Sequence, residues 1–420
     1  MSSSLPALTI DGSQDQLDEL LRGSEHNVDR VREQVFSLTV KQVGCIAEEW
    51  PALPLLQQLT IQVDSESLES FPKVLRGSGL PLLQRLTLGY ARGKRSGDRP
   101  DCPVLEGCFE QLRHVSVQGL RLRAGAIQSI LLCPISTLKL RLLGYGYDEC
   151  SELLEGLQYY GCPTLTHLDL EESHIDGQQC GRLMRALQPP ACRNSACVRL
   201  GVTRIGHEGW KDLARGLQTY PCPRLTRLHL GRNYIGAEGS RRLVQALQEQ
   251  ACPALSHLDL QGNGIGDEGC VDVAQALQRH ACSRLAYLDL GQNGVGDRGC
   301  AVLAQALKGR ACPCLIYLNL ASNDIGDEGC TALARGLAGC PDIQDLLLPN
   351  NRIRALPDAL GETRSLASLN IRSNLVRTIQ PALHAFFLRL TAFAADGNPL
   401  EYPYRQHLGV IQGYLRMMHG

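Results

Sequence analysis

Cysteine is the residue whose type and spacing first suggest chemistry in this sequence of 420 residues, 18 of which are cysteine. Cys162, Cys192, Cys222, Cys252, Cys282, Cys312 and Cys340 form one series, and Cys180, Cys270, Cys300 and Cys330 form another. Thiolates attack electrophiles, pair as disulfides or hold zinc. Zinc needs four converging ligands, and Cys312-Pro313-Cys314 is the nearest approach to a closely spaced pair. The wide, regular intervals fit a different role. A free cysteine packs as a small apolar group, so each member of a series would sit beside its copy in the next turn of a repeat. Cys197 stands apart from both series and is expected on an open strand face.

Glycine-rich turns raise a second chemistry, phosphate binding. Gly264-Ile265-Gly266-Asp267-Glu268-Gly269 and Gly294-Val295-Gly296-Asp297-Arg298-Gly299 both match G-x-G-x-x-G between an expected strand and an expected helix. A dinucleotide fingerprint occurs once, at the switch point of a doubly wound sheet. Here the pattern repeats, and Tyr234 and Asp324 replace its first glycine in adjacent units, so the glycines are read as turn geometry. Gly89-Tyr90-Ala91-Arg92-Gly93-Lys94-Arg95-Ser96 lacks the spacing of a phosphate loop and is read as a solvated loop. No Ser/His/Asp order and no H-E-x-x-H is found, and neither a catalytic residue nor a cofactor nor a metal is expected.

The elements that would position these residues follow from a repeat. CPTLTHLDL, CPRLTRLHL, CPALSHLDL, CSRLAYLDL and CPCLIYLNL open at Cys162, Cys222, Cys252, Cys282 and Cys312, with a degraded copy at Cys192, giving a pitch of 30 residues. Leu258 and Leu260 alternate as in a strand with one buried face, whereas Cys270, Val273, Ala274 and Leu277 fall on one face of a helix. Asp267 and Glu268 stand at the expected helix start, where acids complement the amide dipole. A strand-turn-helix unit cannot bury both its apolar faces alone, so neighbours must stack.

Leu255, Leu258, Leu260, Asn263 and Ile265 spell L-x-x-L-x-L-x-x-N-x-I, which resembles a leucine-rich repeat of the ribonuclease-inhibitor subtype, as in NOD-like receptors and the Ran GTPase-activating protein. The resemblance implies an α/β solenoid, a horseshoe with a parallel sheet on the concave face and helices on the convex face. It also implies that Asn233, Asn263, Asn293, Asn323, Asn351 and Asn374 form an internal ladder to backbone groups at the turns. Five segments are expected: an N-terminal helical cap over 1–34 carrying Leu17, Leu20, Leu21, Val28 and Val31, with the first strand near Val35; irregular repeats over 35–161; regular repeats over 162–340; short typical repeats over 341–400 with an extended convex side; and a Roco-like cap over 401–420.

Function is sought on the side chains that the scaffold does not need. Strand alternation sends His257 and Asp259 to the open face, and the same offset adds Asp169; Arg199; Arg227 and His229; Tyr287 and Asp289; Tyr317 and Asn319; then Asp345 and Leu347. Arg227, His229, His257, Asp259, Tyr287, Asp289, Tyr317 and Asn319 are the candidate protein-binding residues. Adjacent tyrosines supply rigid amphipathic area, and His229, Asp259 and Asp289 could pair with a basic residue of a partner. Upstream, Arg85, His114, Lys139 and Arg141 suggest a basic end that could meet an anion.

Lys plus Arg total 42 against 43 Asp plus Glu, which excludes nucleic-acid binding through overall charge, and a hydrophobic fraction of 44% excludes disorder of the whole chain. The opening MSSSLPALTIDGSQ lacks a signal sequence, and no apolar stretch reaches the roughly 20 residues that cross a bilayer. The expectation is a cytoplasmic, monomeric, noncatalytic scaffold with reduced thiols, without membrane or nucleic-acid contact, binding a protein on its concave face. The alternatives are a regulator of a small GTPase, with Arg199, Arg227 and Arg232 as candidate arginines, and the sensor region of a NOD-like or Roco-type signalling protein.

Overall fold

The computed structural model describes residues 7–11, 37–43, 55–63, 80–90, 101–105, 109–141, 147–173, 175–188, 191–192, 194–203 and 205–401. The chain divides into two compact units, Met1–Thr203 and Arg204–Gly420.

In the first unit the described strands are β1 (Ala7–Asp11), β2 (Ser37–Val43), β3 (Gln58–Val63), β4 (Arg85–Tyr90), β5 (His114–Gln118), β6 (Thr137–Arg141), β7 (His167–Asp169) and β8 (Cys197–Arg199). Each is parallel to the next along the chain. Helices α1 (Ala124–Leu131), α2 (Tyr147–Tyr160) and α3 (Gly177–Ala186) return the chain between the later strands. The sheet starts earlier than the strand expected near Val35, because Leu8 and Ile10 alternate with period two and fall in register with Leu38 and Val40. Leu17, Leu20, Leu21, Val28 and Val31 of the expected helical cap lie outside the described residues, as do Ala91–Ser96 of the glycine-rich loop and the expected cap beyond Glu401.

The second unit carries β9 (Arg227–His229), β10 (His257–Asp259), β11 (Tyr287–Asp289), β12 (Tyr317–Asn319), β13 (Asp345–Leu347), β14 (Ser368–Asn370) and β15 (Ala392–Ala394), again parallel in chain order. Its helices are α4 (Gly206–Thr219), α5 (Gly236–Gln248), α6 (Gly266–Gln278), α7 (Asp297–Lys308) and α8 (Asp327–Gly336). Beyond β13 the shorter pitch leaves room only for the 3-10 turns Asp358–Glu362 and Pro381–Leu383 and the four-residue helix α9 (His384–Phe387), so that side is turned rather than fully extended.

One repeat shows why the chain folds this way. Leu255, Leu258, Leu260 and Ile265 are buried from the strand side, and Cys270, Val273, Ala274 and Leu277 are buried from α6. Strand leucines and helix apolars meet between the layers, where emptying a leucine site costs about 2–5 kcal/mol. Of the 16 cysteines described, 15 are buried, and Cys314 alone is exposed. Burial pushes the Cys270 and Cys282 thiols up to about 12. Cys197 is buried too, contrary to expectation. Its side chain ends one atom beyond Cβ, in register beside the longer His167, so the thiol lies below the surface of the strand face.

Two polar ladders tie successive repeats together. Asn293 Oδ1 accepts the Asn263 amide at 3.0 Å, while its Nδ2 donates to the Leu260 carbonyl at 3.0 Å and the Gly291 carbonyl at 3.1 Å. Asn263 and Asn323 do the same one repeat earlier and later. The second ladder is absent from the sequence reading. Asp267 Oδ1 accepts the amides of Gly296 at 2.7 Å and Gly299 at 2.9 Å, at the start of the following helix α7, and Asp297 caps α8 through Gly326 and Gly329 at the same distances. Asp267 thus serves its neighbour's helix. A Cβ at Gly299 would lie 2.6 Å from Asp267 Oδ1, so close approach, not positive φ, requires glycine there. The amides that a pyrophosphate would need at this turn are already occupied by a carboxylate.

Candidate functional site

Strands β10 to β13 hold the candidate residues in two columns on the helix-free face of the sheet. His257, Tyr287, Tyr317 and Asp345 are consecutive partners in register, and Asp259, Asp289, Asn319 and Leu347 form the adjoining column. Arg227 and His229 stand at the start of the two columns on β9. Parallel strands about 4.8 Å apart bring like side chains almost to stacking distance without further design.

The first column is an aromatic stack. The Tyr287 and Tyr317 rings lie 4.2 Å apart between centroids at an interplanar angle of 4°, and His257 stacks on Tyr287 at 5.6 Å and 17°. All three side chains are half-buried. Burial holds the Tyr287 and Tyr317 hydroxyls above the ordinary tyrosine range, with Asp289 adding to the effect in both cases. Burial also lowers the His257 imidazole from its ordinary 6.5, and the charges of Arg227 and His229 act in the same direction.

The second column has a structural duty that alternation alone does not show. Asp259 Oδ1 accepts the Gln261 amide, Asp289 Oδ1 the Gly291 amide and Asn319 Oδ1 the Ala321 amide, each at 2.9 Å. A short carbonyl-bearing side chain closes the turn two residues on at each strand end. Asp289 and Asn319 are consequently buried rather than open, as is Asp169 in the first unit. Burial raises the Asp289 carboxyl above its ordinary value, while the bonds from Gly291 and Asn319 oppose the shift. The second carboxylate oxygens are what remain for other contacts: Asp259 Oδ2 lies 3.6 Å from His229 Nδ1, and Tyr287 Oη is 3.5 Å from Asp289 Oδ2.

Two members of the expected basic end of the first unit, Lys139 and Arg141, have carboxylates beside them. Lys139 Nζ is 3.4 Å from Asp169, Arg141 is 3.7 Å from Glu172, and Arg199 donates to Glu171 at 3.0 Å and 2.6 Å. Burial and the Arg85 charge lower the His114 imidazole as well. Asp345, by contrast, has no ion pair or side-chain hydrogen bond among the described residues. It was legible as an outward position but not as part of the site, because the spacing from Tyr317 shortens to 28 residues and breaks the pattern that aligns the other rungs.

Among the described residues, no cluster of three or more His, Cys, Asp or Glu is arranged to hold a metal ion, and no helix is long and apolar enough to cross a membrane. A family model described as Leucine Rich repeat matches residues 251–274, 281–304 and 311–334. A solved leucine-rich repeat protein of Leptospira interrogans is similar at a TM-score of 0.50 and 16% identity, covering 93% of this chain and 97% of that one. Nothing among curated proteins matches the sequence. The chain therefore carries leucine-rich repeats in the α/β repeat fold, a scaffold that in general presents a surface to protein partners.

Proposed function

We propose that this chain is a noncatalytic, cytoplasmic, monomeric scaffold of the ribonuclease-inhibitor-like subtype, ending in typical repeats and a Roco-like cap, and that it binds a protein partner on the strand face of β9 to β13. The observation that carries the reading is the His257–Tyr287–Tyr317 stack. The repeat needs leucine, asparagine, glycine and cysteine at fixed offsets, but it places no demand on these three positions. Rigid, half-buried aromatic rings supply contact area with little conformational entropy left to lose. Arg227, His229, Asp259, Asp289 and Asn319 frame the stack with polar groups that fix orientation.

Of the three candidate arginines for a GTPase-regulating role, Arg199 is held by Glu171 and Asp169. The test is affinity capture from cell extract with wild type and the Tyr287→Ala/Tyr317→Ala double variant, both shown to be folded by circular dichroism. Partners captured by wild type and lost from the variant are expected; an identical set on both would contradict the reading.

A further inference from the structure

The aromatic stack stops abruptly. Among the described residues Tyr317 has an aromatic neighbour on one side only, Tyr287 at 4.2 Å. The next position in register is Asp345, whose short side chain cannot cover a tyrosine ring as the next rung would. Asp345 is half-buried, and no described cation pairs with it. The outward strand positions of β10 to β13 are His257, Asp259, Tyr287, Asp289, Tyr317, Asn319, Asp345 and Leu347, which contain three carboxylates and no lysine or arginine. Two other carboxylates in this molecule have cations beside them: Asp169 lies near Lys139 and Arg199, and Asp396 near Arg372. Asp345 therefore combines an uncompensated charge with the terminal ring of a stack.

Resting on the protein-binding reading above, we propose that Tyr317 and Asp345 form an arginine-reading notch for a basic segment of the partner. A guanidinium is planar, so it continues the column as the rung that Asp345 leaves out, laying its face on Tyr317 and its N–H edge toward the Asp345 carboxylate. One rung is about 4.8 Å, which accommodates a plane stacked at the separation already seen between the tyrosines. Lysine offers a point charge without a stacking plane and fits the notch less well. Asp259, half-buried in the adjoining column, extends the same negative field and favours a further basic residue in the segment.

The test selects random linear peptides by display on the full-length protein, then measures synthetic copies by calorimetry with the arginine kept, replaced by lysine, or replaced by the neutral isostere citrulline. Enrichment of arginine is expected, with affinity falling about tenfold or more on citrulline replacement and by a similar factor in Asp345→Asn, since a desolvated charge-assisted pair is lost in both. The control Glu328→Gln removes an exposed carboxylate on α8, on the helix side, and should leave affinity within about twofold, the range of a remote, screened charge. Asp345 bonds no described side chain, so its variant should fold, and a thermal midpoint confirms this. Peptides that need Tyr287 and Tyr317 but bind citrulline as well as arginine would overturn the notch and leave the binding face standing. Failure to select any peptide sensitive to Tyr287→Ala/Tyr317→Ala would count against both.

Discussion

Asn319 Nδ2 donates to Asp289 Oδ2 across 2.9 Å, linking two strand ends whose remaining side-chain oxygens are already engaged. Asp289 Oδ1 is held by the Gly291 amide and Asn319 Oδ1 by the Ala321 amide. The pair works only with one carboxylate and one amide, because each residue must accept from its own turn and one of them must also donate sideways.

Replacing Asp289 with Asn sets two NH2 groups against each other in a buried site. Asp289→Asn is expected to cost about 1–3 kcal/mol, the range for an unsatisfied buried polar group. The exchanged double variant Asp289→Asn/Asn319→Asp restores one donor facing one acceptor, so most of that loss should be recovered. Urea denaturation of the four proteins in a double-mutant cycle measures the coupling, and additive losses would show that the contact carries no specific energy.

The inter-repeat helix cap makes a second coupled pair. Gly299→Ala should destabilise strongly, since its Cβ would stand 2.6 Å from Asp267 Oδ1 and 3.1 Å from Asp267 Cα. Asp267→Ala should cost about 1–2 kcal/mol through loss of the amide acceptor at α7. Because removing the carboxylate also removes the tightest clash, the double variant should be more stable than the sum of the single losses predicts. Hydrogen exchange at the Gly296 and Gly299 amides reads the cap directly, with faster exchange expected in Asp267→Ala.

The repeat itself was legible because Leu255, Leu258, Leu260, Asn263 and Cys270 each have one duty, fixed by period and burial. Asp267 and Asp289 were harder because each has two. Asp267 stands in the first turn of its own helix, where an acid already has a sufficient local reason, and only the stacking distance reveals that it caps the next one. Asp289 alternates outward like a functional residue, yet one of its oxygens closes a turn. Cys197 shows the same limit: alternation sets direction, whereas burial also depends on how far the neighbouring side chains reach. Tyr287 and Tyr317 were found because nothing in the repeat accounts for them.

Thiol reactivity should follow burial rather than number. Among the described cysteines, Cys314 is the exposed one, so iodoacetamide in native conditions should label it first. The series members should label only after denaturation, because burial holds Cys270, Cys282, Cys330 and Cys340 as thiols with values pushed up to about 12. Peptide mass spectrometry after timed labelling gives the order, and early modification of Cys270 or Cys300 would contradict the packed series.

The histidine at the head of the stack should titrate below its ordinary value. Burial is the largest cause at His257, followed by the Arg227 and His229 charges, and all three disfavour the imidazolium. The unfolded chain then holds more protons than the folded one as pH falls below about 6.5, so His257 contributes stability above that pH and loses it on acidification toward the lowered value. Asp289 has the opposite sign: its raised carboxyl lets the folded state keep a proton longer, so its penalty grows as pH rises from about 3.8 through its shifted value. The imidazole midpoint followed by NMR should lie below 6.5 in wild type. Arg227→Ala should move it only partway back, because burial remains, whereas Tyr287→Ala should move it further by removing the ring stacked on it. A wild-type midpoint at or above 6.5 would show that the half-buried stack does not form in solution.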